Sequence, residues 1–502
     1  EGFTYTLDDS YNSSSRTTYS EGWMYGSDKG PIGATQGSSY VKTDLDVSAI
    51  PMREPSAALK AKVMFFRSMI LIFNIESNLN ICPEEVVTSD TIMDVDVQSF
   101  DMTKTEENGV QFYSVNIDAR HKVDESGLQH VMIQVCPNEV NVKEFSVEGE
   151  LTFHNPYGYL PGMDYGCLPF ELFRVLALLA LGAFFGLVMW FNRSTLLPVH
   201  KMIIGVVVLG TVEALCWLVA YSYMNSTGNP FCCPYPGTVI LAMAMMLLRQ
   251  TVSRFLLLVI CLGYGITRVE LEKREVVFIV ALTIAYLASG ILQLASSVSS
   301  AAHIRTSQRF VDVDPVMSIP ALLTDMVYLT WIYGTLANML KELKDLNETY
   351  KLKMYRALAW TLGAFVTLFT MLTIAMLAAE GSPDQSWEWK WTWIQVVLWE
   401  MLNFCMLMAV SIIWRPSPRS AMLAYSKQLA TTEMDADDAE GAQMEGIEMQ
   451  GPGPGHFVID DDGDESDDEH SKGRKNADVG AGKNGNVYSM ANFEPQRNTD
   501  LA

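Results

Sequence analysis

Five charged residues stand inside long apolar segments: Glu213, Arg249, Arg254, Asp325 and Glu400. An ionised side chain facing lipid at mid-bilayer costs about 2.5–3.5 kcal/mol or more, so each must face a helix-bundle interior or a wet cavity. At 1.5 Å of rise per residue, Glu213 lies roughly 15 Å from one end of its segment. Asp325 and Glu400 lie roughly 14 Å in, and Arg249 roughly 18 Å, which predicts a single mid-membrane layer. Arg254 follows Arg249 by five residues, about 140° around a helix, so one face cannot present both. Asn403 comes three residues after Glu400, shares its face and could add a polar ligand. Two chemistries fit these residues. One is a polar cavity for an ion, a lipid head group or a polar cargo. The other is a structural ion-pair network, with Arg249 pairing Glu213 or Glu400.

Charges of this kind need helices to hold them. Seven apolar segments, at about 169–191, 199–223, 237–262, 276–298, 316–340, 356–379 and 391–414, approach or exceed the ~20 residues that span a bilayer. They are not short alternating segments, so they read as helices and not as barrel strands. The whole chain has 502 residues and is 49% hydrophobic but only 19% charged, with a net charge of −23. A single soluble globule, a fibrous repeat and a nucleic-acid binder are excluded, the last for want of a basic face. With residues 1–155 on the lumenal side, the cytosolic connections hold thirteen Lys and Arg against three on the opposite side. That asymmetry predicts a lumenal N-terminus and a cytosolic C-terminus.

Residues 1–155 form a domain of their own. Its first forty or so residues, rich in Ser, Thr, Tyr and Gly, read as loop or weak strand. Short β-branched and aromatic runs follow, at 63–75, 92–100, 110–117, 130–135 and 140–153, and alternation in VQFYSVNID and FSVEGELTF predicts half-buried strands of a small β-sandwich. Cys82 and Cys136 are the only cysteines there and are expected to form a disulfide. Asn12 and Asn225 begin glycosylation sequons on the side assigned to the lumen. The first residue is Glu1, which fits a mature chain whose secretory signal has been removed.

Residues 156–427 then carry the helices, and residues 428–502 form a tail with eighteen acids and five bases that is expected to stay unfolded. Ser466, followed by two Asp and a Glu, is a candidate acidophilic phosphorylation site that could recruit a cytosolic sorting adaptor. The Trp cluster 387, 389, 391 and 393 reads as an interfacial belt. Cys232 and Cys233 could pair with Cys167 or stay free. No HExxH, GxxxxGK or GxSxG motif is present, and no metal pattern, so neither a catalytic residue nor a metal or other cofactor is expected, apart from a bound phospholipid.

Several runs together resemble one family. They are FHNPYGYLPG (153–162), LGTVEALCWLVAY (209–221), RQTVSRFLLLVICLGYG (249–265), Asp325, Tyr355-Arg356 and Trp414-Arg415-Pro416-Ser417. In this order they resemble the GOST family, also called the lung seven-transmembrane receptor family, and most of all its transmembrane protein 87 branch. The resemblance covers about residues 60–427. It implies a lumenal GOLD-like β-sandwich, which the Cys82–Cys136 pair suits, on a seven-helix bundle. It further implies a bundle similar to that of the Wnt-secretion carrier, with a cavity open toward lipid, and Golgi residence with endosomal traffic. The expected partners are membrane lipid and a lumenal protein cargo. A cation conductance is the alternative that the charged layer and the family both raise; a ligand-sensing receptor is the third.

Overall fold

The computed structural model describes residues 3–416 apart from 13–16, 28–37, 53–54, 56–57, 69–80, 83–91, 108–109, 137–141, 230–234, 268–270, 304–314 and 381–388. The tail with Ser466, and Cys232-Cys233, lie outside the described residues.

Among the described residues nine strands precede the helices of the bundle: β1 (Phe3–Asn12), β2 (Thr17–Met24), β3 (Tyr40–Pro51), β4 (Lys60–Ser68), β5 (Met93–Asp101), β6 (Thr103–Glu107), β7 (Val110–Lys122), β8 (Gly127–Cys136) and β9 (Val142–His154). They build a five-stranded sheet in the order β1-β9-β3-β7-β6 and a four-stranded sheet in the order β2-β8-β4-β5. The alternation of β3 is the physical reason for the two layers. Val41, Leu45, Val47 and Ala49 point inward while Asp44 and Asp46 point out, and the inward set meets Val63, Phe65 and Ile133 of the other sheet. The expected sandwich is therefore present.

In the opening forty residues the strand alternative is realised. They supply two strands: β1 pairs with β9 from Phe3↔Phe153 to Asn12↔Glu144, and β2 pairs with β8 from Thr17↔Gln134 to Met24↔Gly127. Thr and Tyr suit a half-buried pleated surface even where few aliphatic residues mark it. Cys82 and Cys136 are joined, fastening the chain after β4 to the end of β8.

Among the described residues seven α-helices follow: α1 (Cys167–Phe191), α2 (Pro198–Thr227), α3 (Gly237–Cys261), α4 (Lys273–His303), α5 (Pro315–Asp345), α6 (Thr349–Glu380) and α7 (Trp393–Ile413). Each packs on the next, and α7 returns to α1, so the helices form a closed ring with α3 also touching α5. Six are long and apolar enough to cross a membrane by length and composition; α5 completes the ring between α4 and α6. Local signals set the ends of α2. Pro198 occupies the first turn, the Leu197 N–H donates to His200 Nδ1 at 3.1 Å, and Gly228 caps the far end at φ 77°.

The sandwich meets the helices through the run 155–166. Asn155 Oδ1 accepts from the Tyr25 N–H at 2.9 Å, and its Nδ2 donates to Leu160 O at 3.0 Å. Trp23 stacks on Trp389 with ring centroids 5.2 Å apart. Trp393 lies so close over Gly166 that a Cβ there would fall 2.1 Å from the indole ring. Of the expected tryptophan belt, Trp389 and Trp393 thus serve this junction, Trp391 is exposed, and Trp387 lies outside the described residues.

Candidate functional site

The five singled-out charges are not joined in one network. They separate into two clusters, because the 140° between Arg249 and Arg254 sends these arginines to different neighbours.

In the first cluster, Arg249 Nε lies 3.1 Å from Glu213 Oε2, and its Nη2 donates to Glu400 at 3.1 Å. Both alternatives for the partner of Arg249 are thus realised at once. The organising cation is one that sequence reasoning passed over. Arg174 of α1 contacts Glu171 through Nε at 2.8 Å, Glu213 through Nη2 at 3.0 Å and Glu400 through Nη1. The available signal was simple: Glu171 and Arg174 are the only charges in the first apolar segment, spaced i,i+3 on one helix face. Five side chains from α1, α2, α3 and α7 therefore form one network, and none of them is more than 16% exposed. Gly210 lets α2 approach, with the Arg249 side chain 3.5 Å from where its Cβ would stand.

The second cluster joins α3, α4 and α5. Arg254 Nε donates to Asp325 Oδ1 at 2.7 Å, and the guanidinium lies 4.6 Å over the Tyr286 ring. Here the side chains are 31% and 32% exposed. Hydroxyl groups extend this face: Thr283 and Tyr328 share a hydrogen bond of 2.7 Å, and Tyr286 donates to Gln250 Oε1.

The remaining expectations separate as follows. Asn403 is half-buried and takes part in none of the described ion pairs. Asn12 ends β1 opposite Glu144. Asn225 is taken up by the junction, which speaks against its expected glycosylation. Its Nδ2 donates to Tyr157 O at 3.1 Å, while its Oδ1 and backbone O accept from Leu160 and Tyr159 at 3.2 Å. A glycan on Nδ2 would have to displace the run that ties the sandwich to the helices. Cys167 is buried as a free thiol. Among the described residues no group of three or more His, Cys, Asp or Glu is arranged to hold a metal ion.

Sequence comparison also finds a bundle of seven helices. Residues 167–421 match the family described as GOST, seven transmembrane domain. The chain belongs to the GOST family. Membrane protein PTM1 of Saccharomyces cerevisiae is 24% identical over 397 residues, covering 74% of this chain and 71% of its own length. Transmembrane protein 87A is 23% identical in Xenopus tropicalis, covering 66% of this chain, and 24% identical in Homo sapiens, covering 63%. The match spans 60% and 56% of those two relatives' lengths. The GOST protein described here is a multi-pass membrane protein with a seven-helix bundle and an N-terminal sandwich.

Proposed function

We propose that this GOST protein acts in membrane traffic of the Golgi and endosomes, with its sandwich in the lumen and its tail in the cytosol. The sandwich engages protein cargo, and the bundle holds a lipid or a lipid-like group of the cargo. The second ion cluster carries this reading. Arg254 and Asp325 are about one-third exposed in the middle of apolar helices, where a charge facing hydrocarbon is costly. A polar occupant beside them, such as a phospholipid head group, removes that cost, and the hydroxyls of Tyr286, Tyr328 and Thr283 extend the same polar face. The test is native mass spectrometry of phospholipid retained by the purified protein. Arg254→Gln and Asp325→Asn are expected to lose retained lipid while keeping the wild-type melting temperature. Undiminished retention in both would remove the head-group role.

A cation conductance is the second reading, favoured by one observation: the first cluster sets three carboxylates against two guanidiniums. Its burial argues for a closed path. Cation flux into liposomes, compared between wild type and Glu213→Gln, Asp325→Asn and Glu400→Gln, decides between them. Flux that these changes alter would promote conductance over the carrier.

A further inference from the structure

The first cluster has a charge count that its surroundings do not balance. Glu171, Glu213 and Glu400 oppose Arg174 and Arg249, which leaves one net negative charge if all five are ionised. The other titratable groups around Glu171 bring no cation. On α1 they are Cys167 and Arg174, on α2 Glu213, Cys216 and Tyr221, on α3 Arg249, on α7 Glu400, and before α1 Asp164. A lone uncompensated charge buried among spanning helices is among the most expensive arrangements a protein can hold, and one bound proton removes it.

The geometry also says where that proton resides. Glu213 lies against both guanidiniums, at 3.0 Å from Arg174 and 3.1 Å from Arg249. Glu400 likewise accepts from both. Glu171 alone has a single cationic partner, Arg174, and that guanidinium is shared with the other two carboxylates. Glu171 also sits four residues into α1, directly below the junction with the sandwich. At 1.5 Å per residue that is about 6 Å from the helix start, nearer to the sandwich-side solvent than Arg174.

We infer that the Glu171 carboxyl is a proton-binding site, occupied at neutral pH and exchanging its proton with the side of the membrane that bears the sandwich. Binding converts the carboxylate to the neutral acid and leaves two carboxylates balanced by two guanidiniums. The sequence signal is the i,i+3 pair in α1, and the charge count across four helices gives it meaning.

Difference infrared spectroscopy of the full chain in lipid nanodiscs tests the assignment. Wild type at neutral pH is expected to show a protonated-carboxyl C=O band that Glu171→Gln loses. Glu171→Gln is the neutral isostere of the occupied site, so it should melt no lower than wild type at neutral pH. Glu400→Gln supplies the second arm. It balances two acids against two arginines, so Glu171 ionises and the band disappears although Glu171 is still present. A band that survives in Glu171→Gln, or its absence from wild type at neutral pH, overturns the proposal. So does a wild-type melting temperature that depends on sodium or potassium at fixed pH, because a metal cation would then be the neutralising partner.

Discussion

Two ion clusters lie within the same seven helices and obey different physics. The cluster of Glu171, Arg174, Glu213, Arg249 and Glu400 is sealed, whereas the Arg254–Asp325 pair is about one-third open. Their owners differ as well. The sealed cluster fastens α1, α2 and α7 to α3, and the junction with the sandwich rests on two of these, at Asn225 of α2 and Trp393 at the start of α7. The open pair joins α3 to α5, with Tyr286 of α4 beneath it. One half of the ring is therefore locked together by buried charge and also carries the junction with the sandwich, whereas the other leaves its ion pair partly exposed. The comparison teaches that a charge inside a spanning helix is not by itself a ligand site; its exposure and the number of its partners divide lock from site.

The largest effect should come from breaking the lock. Arg174→Met removes the cation shared by three carboxylates and leaves buried negative charge without a partner, a loss expected at about 3–5 kcal/mol. Thermal unfolding of the purified full chain should show it, and a melting temperature equal to wild type would mean that Arg174 does not organise the cluster.

A smaller effect, confined to the sandwich, serves as a control on pH. His130 is buried between Phe66 and Tyr19, with Ser68 at Nε2 and Tyr19 and Glu21 at Nδ1. Burial pushes its pKa down to about 3, outweighing the nearby Glu21 carboxylate. The folded state therefore keeps His130 neutral where the unfolded chain binds a proton, so stability falls as pH drops from about 6.5 toward 3. At pH 5 the loss should be about 2 kcal/mol relative to pH 7. His130→Gln should flatten this acid limb.

Next comes the link between the sandwich and the locked half. Asn225→Ala strands the Leu160 N–H and the Tyr157 carbonyl, at a cost of about 1–2 kcal/mol. Wild-type protein from a glycosylating host should show no glycan at Asn225 by peptide mass mapping; a fully occupied site there would show that the junction opens.

The smallest stability change belongs to the open pair. Arg254→Gln should cost less than Arg174→Met, on the order of 1 kcal/mol, because the polar cavity proposed beside the pair keeps Asp325 solvated. A loss as large as that of Arg174→Met would erase the distinction between the two clusters.

By itself the sequence determined the architecture. Runs of about twenty apolar residues demand helices in lipid, and alternation in 110–118 and 145–153 demands half-buried strands. It also determined that Glu213, Arg249, Arg254, Asp325 and Glu400 face inward, because the cost of facing lipid depends only on residue type and depth. Depth along a helix, however, says nothing of azimuth relative to other helices. How these charges divide into two clusters was settled only when the ring closed and α7 returned to α1. The same closure gave Arg174 its three partners. It also turned Asn225 and two tryptophans from presumed surface groups into parts of a junction. Those assignments rest on contacts between residues as far apart as Arg174 and Glu400, which no local pattern encodes and which packing alone brings within reach.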